Sequence, residues 1–400
     1  MLKMKLFLTF LLSAGITVSG IGQRNSELLL LNINDLEQKK RQISSNEALL
    51  MPSYHQLTEE ADRLVNAGKV YSVMNKTPVP PSGDKHDYMS QAPYWWPDPT
   101  KSDGKPYIRR DGDRNPEING ITDHDQLGEL INDAEVLSLA YFYTGKEAYA
   151  QHTARLLKTW FLDETTKMNP HLNFGQGIPG INTGRGIGII ETRDLGKVCD
   201  AATLISTSKS WDSVAQKQFK AWCSAYTKWL TDSPLGKDEA DEHNNHGTYY
   251  SVQLVALAMF TDNTSLARSQ LDTAKVRLQR QLKPDGSQPH ELARTLPYNY
   301  ATMNLRGFFE LATLAKKLNM DFWNYETADG KSLKKAFEWF QPYLTGEKQW
   351  EYKQLKAPAQ DQMVILLKMA AKAYGRPEYE KWGYKIAPKE YAEGLMQLKY

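Results

Sequence analysis

The sequence predicts an all-α chain folded as an α/α toroid, an incomplete barrel of inner and outer helix pairs with long loops walling a cleft. Three observations predict it. Hardly any stretch alternates apolar and polar residues as a half-buried strand does. Helical patterns come in pairs, one apolar on several faces and the next on one, as buried and surface helices are. Two long segments rich in Pro, Gly and Asn break this rhythm, and loops of that length in a compact domain usually carry function. A stacked superhelix would need a repeat at fixed spacing, and none is found.

Met1 to about Gly22 has the parts of a secretory signal: Lys3 and Lys5, an apolar core from Leu6 to Leu12, then small residues from Ser13. The apolar run is shorter than the roughly 20 residues that span a bilayer. A cleaved signal over 1–22 is expected, with a periplasmic or secreted product and no membrane anchor. Residues 23–400 then form a single toroid domain, of which 23–52 is a polar helical extension. Without Lys3 and Lys5 the chain has 47 basic against 47 acidic residues. That balance disfavours nucleic acid as a partner. A polyanionic partner would require basic residues gathered locally in a cleft. Only Cys199 and Cys223 are present, and export permits a disulfide without showing that the two meet.

The pairs follow in order. Leu127 to Tyr143 is largely apolar and stops at Gly145; Lys146 to Leu162 is one-sided. Ile187 to Ile205 precedes the more polar Trp211 to Leu230. Thr248 to Phe260 precedes the charged Ser265 to Leu282. Tyr298 to Leu318 precedes Ser332 to Phe340, and Gln360 to Ala373 comes near the end. The irregular segments are Thr77 to Thr122 and Lys167 to Gly186, which in a toroid wall one end of the central cavity.

The densest polar run, Asp241-Glu242-His243-Asn244-Asn245-His246, stands at the mouth of an uncharged apolar stretch to Phe260 that reads as a fully buried helix. Buried polar groups are costly unless paired or used. Asn244 or Asn245 is well placed as a helix cap, but two amides with two histidines exceed what a cap needs. His243 and His246, with Asp241 and Glu242, also admit a metal site. The run lacks the i,i+4 histidine pair with glutamate of the common zinc hydrolases, so no metal or other cofactor is expected. A second run, Gln288 to Tyr300, supplies His290, Arg294, Tyr298 and Tyr300.

Together these groups suit removal of a proton beside a carboxylate, as in breaking a uronic-acid polymer. The carboxylate must be neutralised, the C5 proton needs a base, and the departing O4 needs an acid. A guanidinium lowers a nearby phenol's pKa by favouring phenolate, so Arg294 is expected to make Tyr298 or Tyr300 both base and acid. Tyr94, Trp95 and Trp96 sit in a Pro-rich loop, either as platforms for sugar faces or as pins for the loop. Arg109, Arg110 and Arg114 either meet substrate carboxylates or are surface charge. Gly184-Arg185-Gly186-Ile187-Gly188 lacks the spacing of a nucleotide loop and reads as a tight turn into a buried helix. Arg185, Glu191 and Arg193 there are either substrate contacts or structural ion pairs, and His290 either binds substrate or supports Arg294.

Asn244 to Tyr250, Tyr94-Trp95-Trp96-Pro97, and Met168-Asn169-Pro170 with Gly184-Arg185-Gly186 resemble the alginate-lyase family of polysaccharide lyases. The resemblance runs from about Tyr54 to the end of the helical region. It implies an α/α toroid and metal-independent β-elimination on an anionic polysaccharide, alginate or a related polyuronate. Residue by residue it implies that Asn245 and His246 are the carboxylate neutraliser and a base or second neutraliser, that Arg294 is the family's arginine, and that a phenol follows. The arginine-to-tyrosine spacing is shortened here, which leaves the role open between Tyr298 and Tyr300. His243 is an added candidate base for one of alginate's two C5 epimers. Competing expectations are a lyase for another polyuronate such as glucuronan, and an α/α-toroid glycoside hydrolase using two of Glu191, Asp194 and Glu291.

Overall fold

The computed structural model describes residues 27–400; the expected signal over 1–22 lies outside them. The segment after it begins with Leu28, Leu29 and Leu31 packed in the core. The backbone N–H groups of Leu29, Leu30 and Leu31 donate to the buried carboxylate of Asp200. Helices α1 (Ile33–Ser44) and α2 (Met51–Ala67) follow. The loop region then holds three short strands, β1 (Met89–Gln91), β2 (Trp95–Trp96) and β3 (Ile108–Arg109). Next come α3 (Asp123–Thr144), α4 (Glu147–Phe161), strand β4 (Phe174–Gly177) and a 3-10 turn over Gly186–Thr192.

Helices α5 (Leu195–Leu204), α6 (Ser213–Asp232), α7 (Pro234–Asp241), α8 (Asn245–Phe260) and α9 (Thr264–Gln281) occupy the middle of the chain. The short α10 (Pro289–Leu292) leads to the long α11 (Pro297–Lys317). The end comprises α12 (Leu333–Glu338), α13 (Gln341–Thr345), α14 (Asp361–Tyr374), α15 (Glu378–Ile386), α16 (Pro388–Glu393) and α17 (Met396–Lys399).

The pairing expected from hydropathy is present. In α8 every residue but His246 and Met259 is buried. Its partner α9 buries one stripe, Ala267, Leu271, Ala274, Leu278 and Gln281 with the stem of Arg277. Inner helices α3, α5, α8, α11 and α14 pack in succession, with α4, α6, α9 and α15 outside them. This is the α/α toroid. One expected helix is divided: Ile187–Ile205 breaks at Arg193 into the 3-10 turn and α5. Both cysteines are buried free thiols. Among the described residues no helix is long and apolar enough to cross a membrane.

The two long loops meet each other. Strand β1 pairs in parallel with β4, and β2 pairs antiparallel with β3, so the segment after α2 and the segment after α4 build one wall. Its root is a buried ion pair, Lys76 Nζ to Asp123 Oδ2 at 3.0 Å, with both side chains fully enclosed. Lys76 also donates to the carbonyls of Val73 and Lys85, and Asp123 accepts the N–H of Met89 at the start of β1. Burial raises the Asp123 carboxyl to about 6 even with Lys76 beside it. Breaking one side of such a pair strands the other charge. Lys76→Met is therefore expected to lower unfolding free energy by about 3–5 kcal/mol, read from urea denaturation. The double variant Lys76→Met with Asp123→Asn is expected to recover most of the loss.

Candidate active site

The mouth of α8 is built from behind by two enclosed carboxylates. Glu239, on α7, accepts from or shares a proton with His246 Nδ1 at 2.9 Å. Glu291, on α10, takes both the backbone N–H of Asn245 at 2.6 Å and its side-chain Nδ2 at 2.8 Å. Both acids are essentially inaccessible to solvent. Burial raises the pKa of each, while His246 and Asn245 pull the respective values back down. With Nδ1 turned to Glu239, the other ring nitrogen of His246 is left for the cleft.

Asn244 is the helix cap, its Oδ1 accepting the N–H of His246 at 2.9 Å. The loop before it is tied to α9 by Arg277, which donates to the carbonyls of Ala240 and Glu242, and by Gln281, which donates to the carbonyl of Asn244. Gly247 fits only as glycine: a Cβ there would stand 1.9 Å from the Glu242 carbonyl oxygen.

The second run divides according to helical phase. Tyr298 and Tyr300 both fall in the first turn of α11, and two residues along a helix are roughly 200° apart. The chain therefore sends them to different faces. Tyr298 is buried, its ring edge-on to Phe340 and Trp350, its hydroxyl donating to Gln360 Oε1 at 2.7 Å. Tyr300 faces the cleft, its hydroxyl 3.0 Å from that of Tyr94. The Arg294 guanidinium lies 4.0 Å from the centre of the Tyr300 ring and pairs with Asp111 at 3.0 Å.

Sequence reasoning expected Arg294 to depress the phenol's pKa. The net direction is the reverse. Burial and the Tyr94 hydroxyl raise Tyr300 well above the ordinary tyrosine value, and Arg294 offsets only part of this. Stacking over the ring places the positive charge on the π face, and Asp111 already neutralises much of it. Tyr300 therefore carries its proton at rest.

A cleft of about 660 Å³ gathers Asn244, Asn245, His246, Arg294 and Tyr300 with Tyr94, Trp95, Arg185 and Arg193. Other candidates fall outside it. Trp96 donates to the Asp113 carbonyl and stacks with Arg110, so these two pin the loop. The exposed rings of His243 and His290 meet edge-on, centres 4.9 Å apart, and neither lines the cleft. The run that looked like one cluster is split at the helix cap. Among the described residues no three His, Cys, Asp or Glu side chains gather as metal ligands.

The carboxylates that a hydrolase would use are otherwise engaged. Glu191 accepts from Tyr88 and Ser90. Asp194 sits among Lys197, Arg193 and Arg306, which hold its carboxyl far below the usual range against the effect of burial. Glu291 is behind Asn245. Sequence reasoning missed Glu239, Asp111 and Gln176, as well as the cleft-lining His124. Nothing in the periodicity distinguishes Glu239 from the other acids of α7, and the other three lie in or beside irregular segments.

Residues 72–350 match the model of the family described as alginate lyase. No curated protein matches the chain. Among solved structures, the chain is 37% identical to an alginate lyase from Bacteroides ovatus, covering 94% of this chain and 99% of that one with a TM-score of 0.88. It is 16% identical to alginate lyase A1-III from Sphingomonas species A1, covering 87% and 95% with a TM-score of 0.56. A variant of A1-III complexed with a tetrasaccharide is 15% identical, over 82% and 89%, with a TM-score of 0.55. At these lower identities the likeness is one of fold.

Glu291→Ala removes the acceptor of two buried donors, and about 3 kcal/mol of stability is expected to go with it. The sign of the pH dependence follows from the raised folded pKa of Glu291. Its contribution is fully present below the ordinary carboxylate value and is lost as pH rises through the folded value. Urea denaturation across pH should show the deficit of the variant largest in acid and shrinking upward.

Proposed function

This chain belongs to the alginate lyase family and is a polysaccharide lyase, and from that premise we propose that it cleaves alginate by β-elimination in the cleft at the mouth of α8. One observation carries the reading: a single cleft gathers an amide, an imidazole, a guanidinium and a phenol from the first turns of two inner helices and the turn before the second. Asn245, held by Glu291, has one amide N–H left to offer the reacting carboxylate. Arg294 adds positive charge beside it. Amide and guanidinium donors of this kind stabilise the charge that develops when the C5 proton leaves.

In the proposed step, the ring nitrogen of His246 not held by Glu239 takes the C5 proton. The C5–H electron pair becomes the C4=C5 double bond, the C4–O4 bond breaks, and O4 receives the proton of the Tyr300 hydroxyl. The product carries an unsaturated sugar at its new non-reducing end. Return of the imidazolium proton to the phenolate, whose hydroxyl neighbour is Tyr94, resets the site. We further propose that the enzyme works in the periplasm or outside the cell, on the strength of the signal-like residues 1–22.

Purified protein is to be incubated with polymannuronate, polyguluronate and glucuronan, each with chelator, while ultraviolet absorbance of the new double bond is followed. Absorbance should rise on alginate and survive the chelator. Reducing ends without absorbance would mean hydrolysis and end the reading; preference for glucuronan would change the polymer but keep the reaction. Tyr300→Phe is expected to lower kcat by ~10²–10⁴. Tyr298→Phe should keep kcat and lose about 1 kcal/mol of stability, and the opposite ranking would exchange the two roles.

A further inference from the structure

Several guanidiniums reach the cleft, and all but one have a carboxylate partner or are solvated. Arg294 and Arg109 share Asp111, and Arg193 pairs with Asp194. Arg114 is exposed. Arg185 is different. Among the described residues no carboxylate oxygen lies within 4.0 Å of it. Its one side-chain bond runs from Nη2 to a neutral acceptor, Gln176 Oε1, at 2.7 Å. Its Nε is sealed from solvent without an acceptor. Burial pushes its pKa down, and the positive charge of Arg109 adds to the effect, while Glu191, Glu239 and Glu242 offset it only from a distance. A guanidinium in this state is an unbalanced charge aimed at a cleft.

The chain goes to some length to hold it there. Gln176 is a non-glycine residue in the left-handed region, at φ 50°, a strained backbone that persists where surroundings enforce it. Its N–H is taken by Ser90 Oγ at 2.7 Å, and Ser90 in turn donates to Glu191. The Arg185 N–H donates to the Gly175 carbonyl at 3.1 Å. Gly188 lies so close to Gly175 that a Cβ would stand 2.5 Å from its carbonyl carbon. These contacts fix the backbone that carries Arg185, and the Gln176 bond holds its side chain. Of the three residues that the sequence left open here, Arg193 has a carboxylate partner, Glu191 accepts from Tyr88 and Ser90, and Arg185 bonds only the neutral Gln176.

We propose that Arg185, held by Gln176, is a subsite for a second substrate carboxylate, that of a uronate flanking the one that loses its proton, and that it makes the cleft select runs of consecutive uronates. This rests on the lyase reading for the identity of the chain it binds. A guanidinium with free N–H groups suits a carboxylate in geometry as well as charge. The subsite would discriminate against polymers in which each uronate is followed by a neutral sugar, because the guanidinium would then stay uncompensated.

Calorimetry on the full chain carrying Tyr300→Phe, so that no turnover intervenes, tests this with two probes of equal length. One is a saturated oligouronate; the other alternates uronate with a neutral sugar. Adding Arg185→Met should weaken the oligouronate about tenfold or more and the alternating probe by less than about twofold. Arg185→Lys should recover part of the loss. Arg185→Met should lower the melting temperature by no more than a few degrees, since it removes one hydrogen bond to Gln176 and no ion pair. Equal loss on both probes, no loss on either, no oligouronate binding before Arg185 is changed, or a fall in melting temperature larger than that alongside lost binding would each overturn the proposal. Failure of the wild-type protein to make unsaturated products would instead overturn the lyase reading, and the calorimetry would still decide the subsite.

Discussion

Two buried carboxylates, Glu239 and Glu291, grip adjacent residues at the first turn of the most enclosed helix in the molecule. Helix α8 is apolar almost throughout, so its start can be fixed only by groups that satisfy the exposed N–H ends and the side chains there. Asn244 caps one N–H and Glu291 takes another. The acids come from α7 and α10, on either side of α8 and α9 in sequence. The position of Asn245 and His246 thus depends on three separate helices packing correctly. A negative charge at a helix N-terminus is also favoured by the helix dipole, which helps these acids remain inside despite burial.

The opposite contribution to the cleft comes from irregular chain. Asp111 joins the loop wall to Arg294, and Tyr94 joins it to Tyr300. Lys76 and Asp123 root that wall at the start of α3. The wall is therefore coupled to the helical half at the residues proposed to act on the substrate. Small displacements of the loops would alter the stacking of Arg294 on Tyr300 before they altered the packing of the toroid.

The fold was legible because hydropathy differs so sharply between helices such as α8 and α9, and the interval between them is short. The site was legible only in its helical part. Asn245, His246 and Arg294 stand where two dense polar runs meet buried helices, and polar residues in such places require explanation. Tyr298 and Tyr300 could not be told apart until the start of α11 was known, since helical phase alone assigns one to the core and one to the cleft. His243 was grouped with His246 in one polar run, but the cap at Asn244 places the helix boundary between them. Asp111 and Gln176 act through contacts distant in sequence, across loops whose course no periodicity predicts. The pKa of Tyr300 was misjudged because proximity to Arg294 was considered without the burial and the Asp111 pair that accompany it.

That misjudged pKa bears on the chemistry. A phenol raised by burial stays protonated at rest, so it cannot take the C5 proton but still has one to give to O4. A bound polyuronate brings further negative charge into the cleft, which raises the phenol again rather than lowering it. Binding the polymer therefore keeps the proton on Tyr300 until O4 departs, which is the acid role proposed for it. The uncompensated Arg185 limits how much substrate charge accumulates, since it can neutralise a flanking carboxylate without touching the pair that moves protons.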